Sequence, residues 1–334
     1  MSSPLNIFIG ELEQLRKTSA LPLAVIVGPT ASGKTGASIA LAKAIGERGV
    51  AVEIINADSR QCYKELDIGT AKITEEEMQG IPHHLFDALD PRTPITVAWY
   101  QKRAKEIIYE IQKRGALPVL VGGSMLYISA VIDGLALAPP GDPTLRKKLE
   151  SDYDLDGGLT LYKKLQQIDP EAAAAFHANN KQYVVRAMEI FMTTGAKPSL
   201  SKKKSKSDYD LFMIGIEWPR EQLTKRIDAR TKQMLDSGWI EEVQALLKAG
   251  YTREDPGMQS HGYREIASAI SNGKWTPLRP PQADFEGQEM ENGKFDTTIL
   301  AENISAKVRQ YAKRQMTWWK GDPRIRWVSE EVCD

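Results

Sequence analysis

A glycine-rich segment at residues 28–35 reads GPTASGKT and matches the pattern GxxxxGK[ST]. In such a loop, backbone N–H groups converge on phosphate oxygens, and the helix that follows presents its positive N-terminal end. The lysine adds a movable positive charge, and the last hydroxyl can ligate Mg²⁺. The sequence therefore predicts a site for a nucleoside triphosphate or another diphosphate, built from Gly28, Thr30, Ala31, Ser32, Gly33, Lys34 and Thr35.

A carboxylate follows the second apolar run of the chain, in the segment NADSRQ at residues 56–61. Enzymes that hydrolyse nucleotides usually carry a magnesium-binding acid after a different strand, but here residues 118–121 run into the sequence GGS. An acid at the carboxyl end of a strand lies on the ligand side of an open α/β sheet. Asp58 is therefore a candidate general base, with a turn or helix-capping aspartate as the alternative.

Apolar runs and amphipathic segments alternate around these residues. Strands are predicted at residues 23–27, 52–56, 118–121 and 211–216, and helices at 36–45 and 99–112. This alternation is typical of right-handed crossovers in the α/β class, with a mostly parallel sheet flanked by helices. Residues 139–207 lack comparable β-branched runs but show helical spacing, so we expect a helical insertion domain between two parts of the core, 1–138 and 208–334.

Three further segments bear on this organisation. Apolar spacing in residues 221–248 predicts two helices with a break at Ser237-Gly238. Residues 278–295 are rich in proline, glycine and acids and predict a surface loop. A lysine cluster predicts a mobile loop that is not a binding face; it consists of Lys202, Lys203, Lys204 and Lys206.

The composition is that of an ordinary globular protein: 334 residues, 42% hydrophobic, 26% charged, with a formal net charge of zero. No run approaches the roughly 18 apolar residues of a membrane span, and the first twenty residues lack the features of an export signal. We expect a cytoplasmic monomer without a membrane partner. The cysteines, Cys62 and Cys333, are too few for a four-cysteine zinc site or a disulfide framework.

Residues 303–328 form a basic segment interleaved with aromatic side chains, in which the single acid is Asp322. Such a segment is typical of a solvated helix whose aromatics pack inward, or of a face that binds nucleic acid. Composition alone leaves both interpretations open. The basic residues are Lys307, Arg309, Lys313, Arg314, Lys320, Arg324 and Arg326, and the aromatic residues are Tyr311, Trp318, Trp319 and Trp327.

Eight motifs stand in order along the chain: GPTASGKT, ADSRQ-x-Y, DIGTAK, IPHHL-x-D, GG-S-x-LY, RI-x-x-R-x-x-x-ML, GY-x-E and YAKRQ-x-TW. Together they resemble the tRNA dimethylallyltransferase family over about residues 22–328. The resemblance implies a P-loop kinase-like α/β core that carries a helical insertion, in agreement with the outline above. The cysteines that a eukaryotic zinc finger would need are missing, so the resemblance is to the bacterial type.

The resemblance implies a reaction: a dimethylallyl group moves from dimethylallyl diphosphate to the exocyclic amine of the adenosine directly 3′ of the anticodon in tRNA. Asp58 matches the family's general base, and Arg230 matches the arginine of the RI-x-x-R motif. Negative charge develops on the departing diphosphate, so groups that stabilise this charge accelerate the transfer. Lys34, Arg230, the loop amides and a Mg²⁺ ion held by Thr35 are expected to do so.

The resemblance also implies contacts with the anticodon loop, from which the target base has to be extruded. Ser124 stands where threonine is usual, and His261 where a small apolar residue is more common. Val184, Val185 and Met316 lie in the matching stretches but are predicted to be core residues. The predicted tRNA-binding residues are Asp58, Ser59, Arg60, Gln61, Ser124, Arg146, Gln182, Arg186, Gln259, His261, Gly262, Tyr263, Arg264, Lys313, Arg314, Gln315, Thr317, Trp318 and Lys320.

Two other functions share the phosphate loop. Prenylation of free adenine nucleotides is one alternative, against which the basic C-terminal segment and the long helical insertion favour an RNA acceptor. A small-molecule kinase or nucleotide-dependent switch is the other, and the absence of an acid after residue 121 argues against it.

Overall fold

The computed structural model describes residues 4–139, 141–200, 206–272 and 297–329. The strands within these residues are β1 (Pro22–Val27), β2 (Val52–Asn56), β3 (His83–His84), β4 (Leu117–Gly122), β5 (Asp210–Ile216) and β6 (Ile325–Val328). They form one sheet in the order β3-β2-β4-β1-β5-β6, and every neighbouring pair is parallel. The predicted α/β class is therefore confirmed.

Helices alternate with these strands along the chain. Those of the described residues are α1 (Pro4–Thr18), α2 (Lys34–Gly46), α3 (Glu75–Met78), α4 (Val97–Lys113), α5 (Met125–Ile132), α6 (Pro143–Asp156), α7 (Leu159–Ile168), α8 (Pro170–Ala174), α9 (Lys181–Thr194), α10 (Arg220–Asp236), α11 (Trp239–Lys248), α12 (Tyr263–Asn272) and α13 (Thr297–Trp319). The predicted break between two helices is confirmed, because α10 ends at Asp236 and Gly238, with φ of 99°, precedes α11.

Two apolar clusters position the elements that carry the candidate site. The first lies between the sheet and α2, where Ile26, Leu41 and Val119 are buried together. The second joins the C-terminal helices around Trp239 and Ile304, and α10 packs directly against α13. The sheet therefore fixes the phosphate loop, while the C-terminal helices are held as one packed group.

The chain divides into two compact units: Met1–Ile95, Arg103–Ile128 and Tyr209–Asp334 form the first, and Thr96–Lys102 with Ser129–Asp208 form the second. Residues 139–207, which the sequence predicts as an insertion, are part of the second unit. This unit contains α6 to α9, which enclose their own apolar core around Leu149, Leu165 and Val184. Val184 and Val185 are buried, as predicted.

Several elements were not predicted. The strand β6 lies inside the basic segment and pairs with β5, and the two-residue strand β3 carries no apolar run at all. Both are short, and neighbouring strands determine their pairing. The predicted loop at residues 278–295 and Lys202 to Lys204 lie outside the described residues. Within the described residues, no helix is both long and apolar enough to cross a bilayer.

Candidate active site

The phosphate loop follows β1 directly and ends in the first turn of α2. Gly28 has φ of 156°, and a Cβ atom there would lie 2.7 Å from the carbonyl oxygen of Ile216, so a side chain does not fit. Gly33 has φ of 86° at the start of α2, again a conformation that favours glycine. Residues 30–35 line a cavity of about 510 Å³, which we call the phosphate cavity. The backbone therefore has the shape that the glycine pattern predicts.

Asp58 lies just beyond β2, held by the side chain of Asn56. The Asn56 side chain accepts a hydrogen bond from the Asp58 N–H at 2.8 Å and donates one to the Asp58 carbonyl at 3.0 Å. The Asp58 Oδ1 atom accepts the N–H of Arg60 at 2.9 Å. Asp58 is therefore a turn aspartate that also lines the phosphate cavity.

A second cavity, of about 250 Å³, adjoins the first. Both are lined by Thr30, Ala31, Asp58, Thr70 and Arg230. The second cavity has an apolar wall, and Asp58 is the one carboxylate among the described residues that line either cavity. The wall consists of Ile227, Met234, Trp239, Ile304 and Val308.

The phosphate cavity carries an excess of positive charge. Lys34, Arg226 and Arg230 line it together with Asp58. Burial lowers the pKa of the Arg230 guanidinium, the Asp58 charge opposes that shift, and the Arg226 charge adds to it. An arginine nevertheless stays protonated at neutral pH. Three cations against one carboxylate favour a polyanionic ligand.

The four residues predicted to be catalytic are brought together here. Lys34, Thr35, Asp58 and Arg230 all line the phosphate cavity. The Lys34 Nζ atom donates to the carbonyl of Pro29 at 2.7 Å. The Arg230 guanidinium lies 3.5 Å from the Thr30 hydroxyl.

Gln315 of α13 reaches the phosphate loop from 285 residues away in sequence. Its Oε1 accepts the Thr30 N–H at 2.9 Å, and its Nε2 donates to the Gly123 carbonyl at 2.8 Å. The residue is 1% exposed. Its amide is engaged by the main chain at both ends, so the geometry assigns it to holding the loop, in place of the predicted RNA contact.

Arg226 and Trp218 hold the next part of the loop, and the sequence interpretation assigned neither a role. The Arg226 Nε–H donates to the Ala31 carbonyl, and the Trp218 indole N–H donates to the Ser32 carbonyl, both at 3.0 Å. Arg226 occurs in the RI-x-x-R motif four residues before Arg230, a spacing that places both on one face of a helix. That spacing was the available signal for Arg226.

Other predicted tRNA-binding residues differ in their exposure. Ser124, Gly262 and Tyr263 are buried: Ser124 accepts the Ser59 N–H, Gly262 packs on Trp239, and the Tyr263 hydroxyl donates to Glu242. In this conformation these three are part of the walls that support the site, which does not agree with a direct contact. Asp58, Ser59, Arg60, Gln61 and Arg186 are half-buried, while Arg146, Gln182, Gln259, His261, Arg264, Lys313, Arg314, Thr317, Trp318 and Lys320 are exposed.

The cations of the basic segment fall into two groups, those that form ion pairs and those that do not pair with a carboxylate of the described residues. Five of its seven cations bind carboxylates within the described residues: Lys307 binds Glu265, Arg309 binds Asp228 and Glu302, Lys320 binds Glu217, Arg324 binds Asp322, and Arg326 binds Glu11. Lys313 and Arg314 have no carboxylate partner there, and beside them Trp318 is 45% exposed. Trp319 is buried, so one face of α13 packs an aromatic side chain inward, as the first interpretation predicts, while the other face carries the exposed cations.

In the second compact unit, two arginines that are predicted to bind RNA form ion pairs with one buried carboxylate. Glu189 is 0% exposed, and its Oε2 atom accepts from Arg146 at 2.7 Å and from Arg186 at 2.5 Å. Arg186 also donates to the Pro139 carbonyl at 2.7 Å. These contacts fix the orientation of two partly exposed guanidinium groups.

Comparison with known proteins agrees with this geometry. The family model described as IPP transferase matches residues 61–322. The tRNA dimethylallyltransferase of Geobacter sulfurreducens is 38% identical over 313 residues, covering 93% of this chain and 92% of that protein. A protein of the same name from a Thermoanaerobacter species is 40% identical over 314 residues, covering 92% and 91%.

Solved structures show the same relationship. A tRNA isopentenylpyrophosphate transferase from Bacillus halodurans superimposes with a TM-score of 0.64 at 38% identity, covering 93% of this chain and 90% of that one. A eukaryotic dimethylallyltransferase acting on tRNA superimposes with a TM-score of 0.72 at 25% identity, covering 92% and 74%. The resemblance found in the eight motifs is thus confirmed, and the chain belongs to the tRNA dimethylallyltransferase family, whose members are prenyltransferases.

Proposed function

We propose that this protein transfers a dimethylallyl group from dimethylallyl diphosphate to the exocyclic amine of the adenosine 3′ of the anticodon in tRNA, and releases diphosphate. The observation that carries the proposal is the position of Asp58, the carboxylate shared by the phosphate cavity and the adjoining cavity. A base at this junction can face an amine that enters from one cavity while the donor occupies the other.

The phosphate cavity suits the diphosphate of the donor. Loop amides, Lys34 and Arg230 surround it, and their positive charge stabilises a leaving group that gains negative charge more than it stabilises the bound donor. The carbon–oxygen bond breaks, and its electron pair stays on the diphosphate oxygen. Groups that stabilise the negative charge on that oxygen therefore lower the activation barrier of the transfer.

Thr35 would hold a Mg²⁺ ion in this cavity. Its hydroxyl lines the cavity, exposed at the start of α2, and the described residues contain no cluster of three or more side chains of the kind that encloses a metal. Mg²⁺ keeps several waters and binds through one or two protein groups plus substrate phosphates, so this single hydroxyl fits its chemistry. The ion would neutralise diphosphate charge when bound.

Asp58 would act on the acceptor. The lone pair of the adenine amine is delocalised into the ring, so the amine becomes a useful nucleophile only as its proton is removed. As the new carbon–nitrogen bond forms, that proton passes to the Asp58 carboxylate. Tyr311 lines the adjoining cavity together with Asp58. Burial, with the Asp58 charge adding to it, raises the pKa of Tyr311 to about 12. Tyr311 is therefore protonated at neutral pH and does not compete with Asp58 as the base.

The RNA would approach across the exposed face of α13. Lys313 and Arg314 have no carboxylate partner within the described residues and can bind phosphates, and Trp318 offers an aromatic face for a base. A free nucleotide has too few phosphates to need this face, so the arrangement favours tRNA over AMP. A kinase is disfavoured because β4 ends at Gly122 and is followed by Gly123 and Ser124, without a magnesium-binding acid.

The test is a parallel incubation of the enzyme and dimethylallyl diphosphate with unmodified tRNA or with AMP, followed by mass analysis of the nucleosides. We expect a prenylated adenosine from tRNA and none from AMP. Transfer to AMP with none to tRNA would replace this proposal by the nucleotide prenyltransferase. Release of phosphate from ATP without any prenyl transfer would replace it by the kinase.

A further inference from the structure

Two arginines of α10 face the phosphate cavity, and the proposed function uses one of them. Arg226 and Arg230 both line the cavity and lie four residues apart, so they share one helix face about a turn from each other. Arg230 also lines the adjoining cavity, whereas Arg226 does not. Of the two arginines, Arg226 therefore lines the part of the phosphate cavity outside the junction where Asp58 lies.

The contacts of Arg226 fix its orientation and leave most of its donors available. Its guanidinium carbon lies 4.0 Å from the centre of the Trp218 ring, and its Nε–H donates to the Ala31 carbonyl at 3.0 Å. Trp218 is itself fixed by a hydrogen bond to Ser32. Among the described residues, the terminal nitrogens of Arg226 meet no carboxylate and no hydrogen-bond acceptor. Stacking on an aromatic ring is a common way to hold a guanidinium plane for anion binding.

The charges around Arg226 also favour an anionic ligand. Lys34 and Arg230 are its fellow cations in the cavity, and the Arg226 charge acts unfavourably on protonated Arg230. Asp58, the carboxylate of the cavity, lies with Arg230 at the junction. Support of the loop uses only the Nε–H of Arg226 and leaves the four N–H groups of its two terminal nitrogens for a ligand in this positive cavity.

We propose that Arg226 binds the terminal phosphate of the donor diphosphate, the one farther from the reacting carbon, with Trp218 holding its guanidinium in the plane that binding requires. This inference rests on the proposed function. The terminal nitrogens form a fork that matches two phosphate oxygens. When the carbon–oxygen bond breaks, charge delocalises onto that phosphate, and Arg226 stabilises it there. Arg230 serves the phosphate next to the reacting carbon.

The proposal is tested by comparing ligands that differ by one phosphate. Binding of inorganic diphosphate and of dimethylallyl monophosphate to the full-length protein is measured by calorimetry with Mg²⁺. We expect Arg226→Gln to weaken diphosphate binding by roughly 10- to 100-fold, the usual strength of charge-assisted hydrogen bonds, and to change monophosphate binding less than about threefold. Arg226→Lys keeps the charge without the fork and should fall between. Equal losses for both ligands, or none, would overturn the proposal.

Arg220→Gln is the matched control, because it removes the same charge from an exposed position at the start of α10. It should leave both affinities unchanged. Trp218→Phe keeps an aromatic face without the indole N–H, and Trp218→Leu removes both, so diphosphate affinity should fall in that order. Should the variants of Arg226 not fold, the two Trp218 variants decide: identical diphosphate affinity in both contradicts the role of the stacked ring.

The two proposals fail in different ways. If the wild-type protein binds diphosphate and prenylates tRNA while Arg226→Gln binds diphosphate as tightly as wild type, this inference alone is wrong. If the wild-type protein neither binds diphosphate nor transfers a prenyl group, the proposed function is wrong.

Discussion

The phosphate loop and the exposed face of α13 carry positive charge in opposite ways. Around the loop, each cation is oriented by a specific contact, as Arg226 is by Trp218 and Ala31. On α13, Lys313 and Arg314 extend from the surface without a carboxylate partner in the described residues. The difference fits the two proposed ligands: oriented cations are organised in advance for a small anion, whereas exposed ones can meet the phosphates of a long polyanion in several ways.

Gln315 belongs to both regions, since it lies on α13 and holds the phosphate loop. Lys313, Arg314 and Thr317 are exposed and Met316 is half-buried, whereas Gln315 is buried against Gly123. The same helix therefore supports the phosphate cavity with one face and exposes cations on the other. Four predictions test how far these regions are separate, from the largest expected effect to the smallest.

The largest effect is expected at Asp58. Asp58→Ala should lower turnover by roughly two to four orders of magnitude, the usual range for a general base, and leave tRNA affinity nearly unchanged. Single-turnover prenylation and tRNA binding are the measurements. Asp58→Asn can still accept the Arg60 N–H that stabilises the turn, so it should be as inactive as Asp58→Ala while keeping the local fold. Wild-type turnover in either variant would remove Asp58 from the mechanism.

Gln315→Leu tests the link between the regions. It leaves the Thr30 N–H and the Gly123 carbonyl without their partner, which should lower the free energy of unfolding by about 2–4 kcal/mol, since each buried unpaired group costs about 1–3 kcal/mol. Denaturant melts measure this effect, and donor affinity should fall with it while tRNA affinity changes little. Thr317→Ala, at an exposed position of the same helix, is the control and should stay within about 0.5 kcal/mol of wild type.

Lys313→Ala combined with Arg314→Ala tests the surface region. Two lost phosphate contacts should reduce the slope of log affinity for tRNA against log salt by about 1.4–1.8, with diphosphate affinity unchanged. Binding titrations from low to moderate salt give the slope. Arg324→Ala is the comparison, because Arg324 already binds Asp322 and should change the slope much less. An unaltered slope in the double variant would mean that this face of α13 does not contact RNA.

The smallest effect is expected at Cys62, which packs behind Asn56 and Asp58. Burial, with the Asp58 charge adding to it, raises the pKa of the Cys62 thiol to about 12. The thiolate is the reactive form, so alkylation should be negligible between pH 7 and 9. A Cys333→Ser chain isolates the signal, and the same chain in denaturant is the positive control. Rapid labelling of the folded protein would show that this wall of the cavity opens.

The local part of the site could be predicted from sequence. Residues 28–35 form the expected loop because glycine is needed where φ is positive, a requirement that acts over a few residues. The break between α10 and α11 followed from helical spacing and one glycine. The strands β3 and β6 could not be predicted, because two and four residues give no periodic signal and their pairing depends on distant neighbours.

The sequence by itself determined the strand–loop–helix unit, the motifs of the family and the residue types available for chemistry, since these depend on local backbone preference and composition. The tertiary structure alone decided that Gln315 supports the loop, that Arg226 stacks on Trp218, and which cations of the basic segment pair with a carboxylate. Charges find their partners through packing across hundreds of residues. No local sequence pattern predicts which carboxylate a given lysine or arginine will pair with.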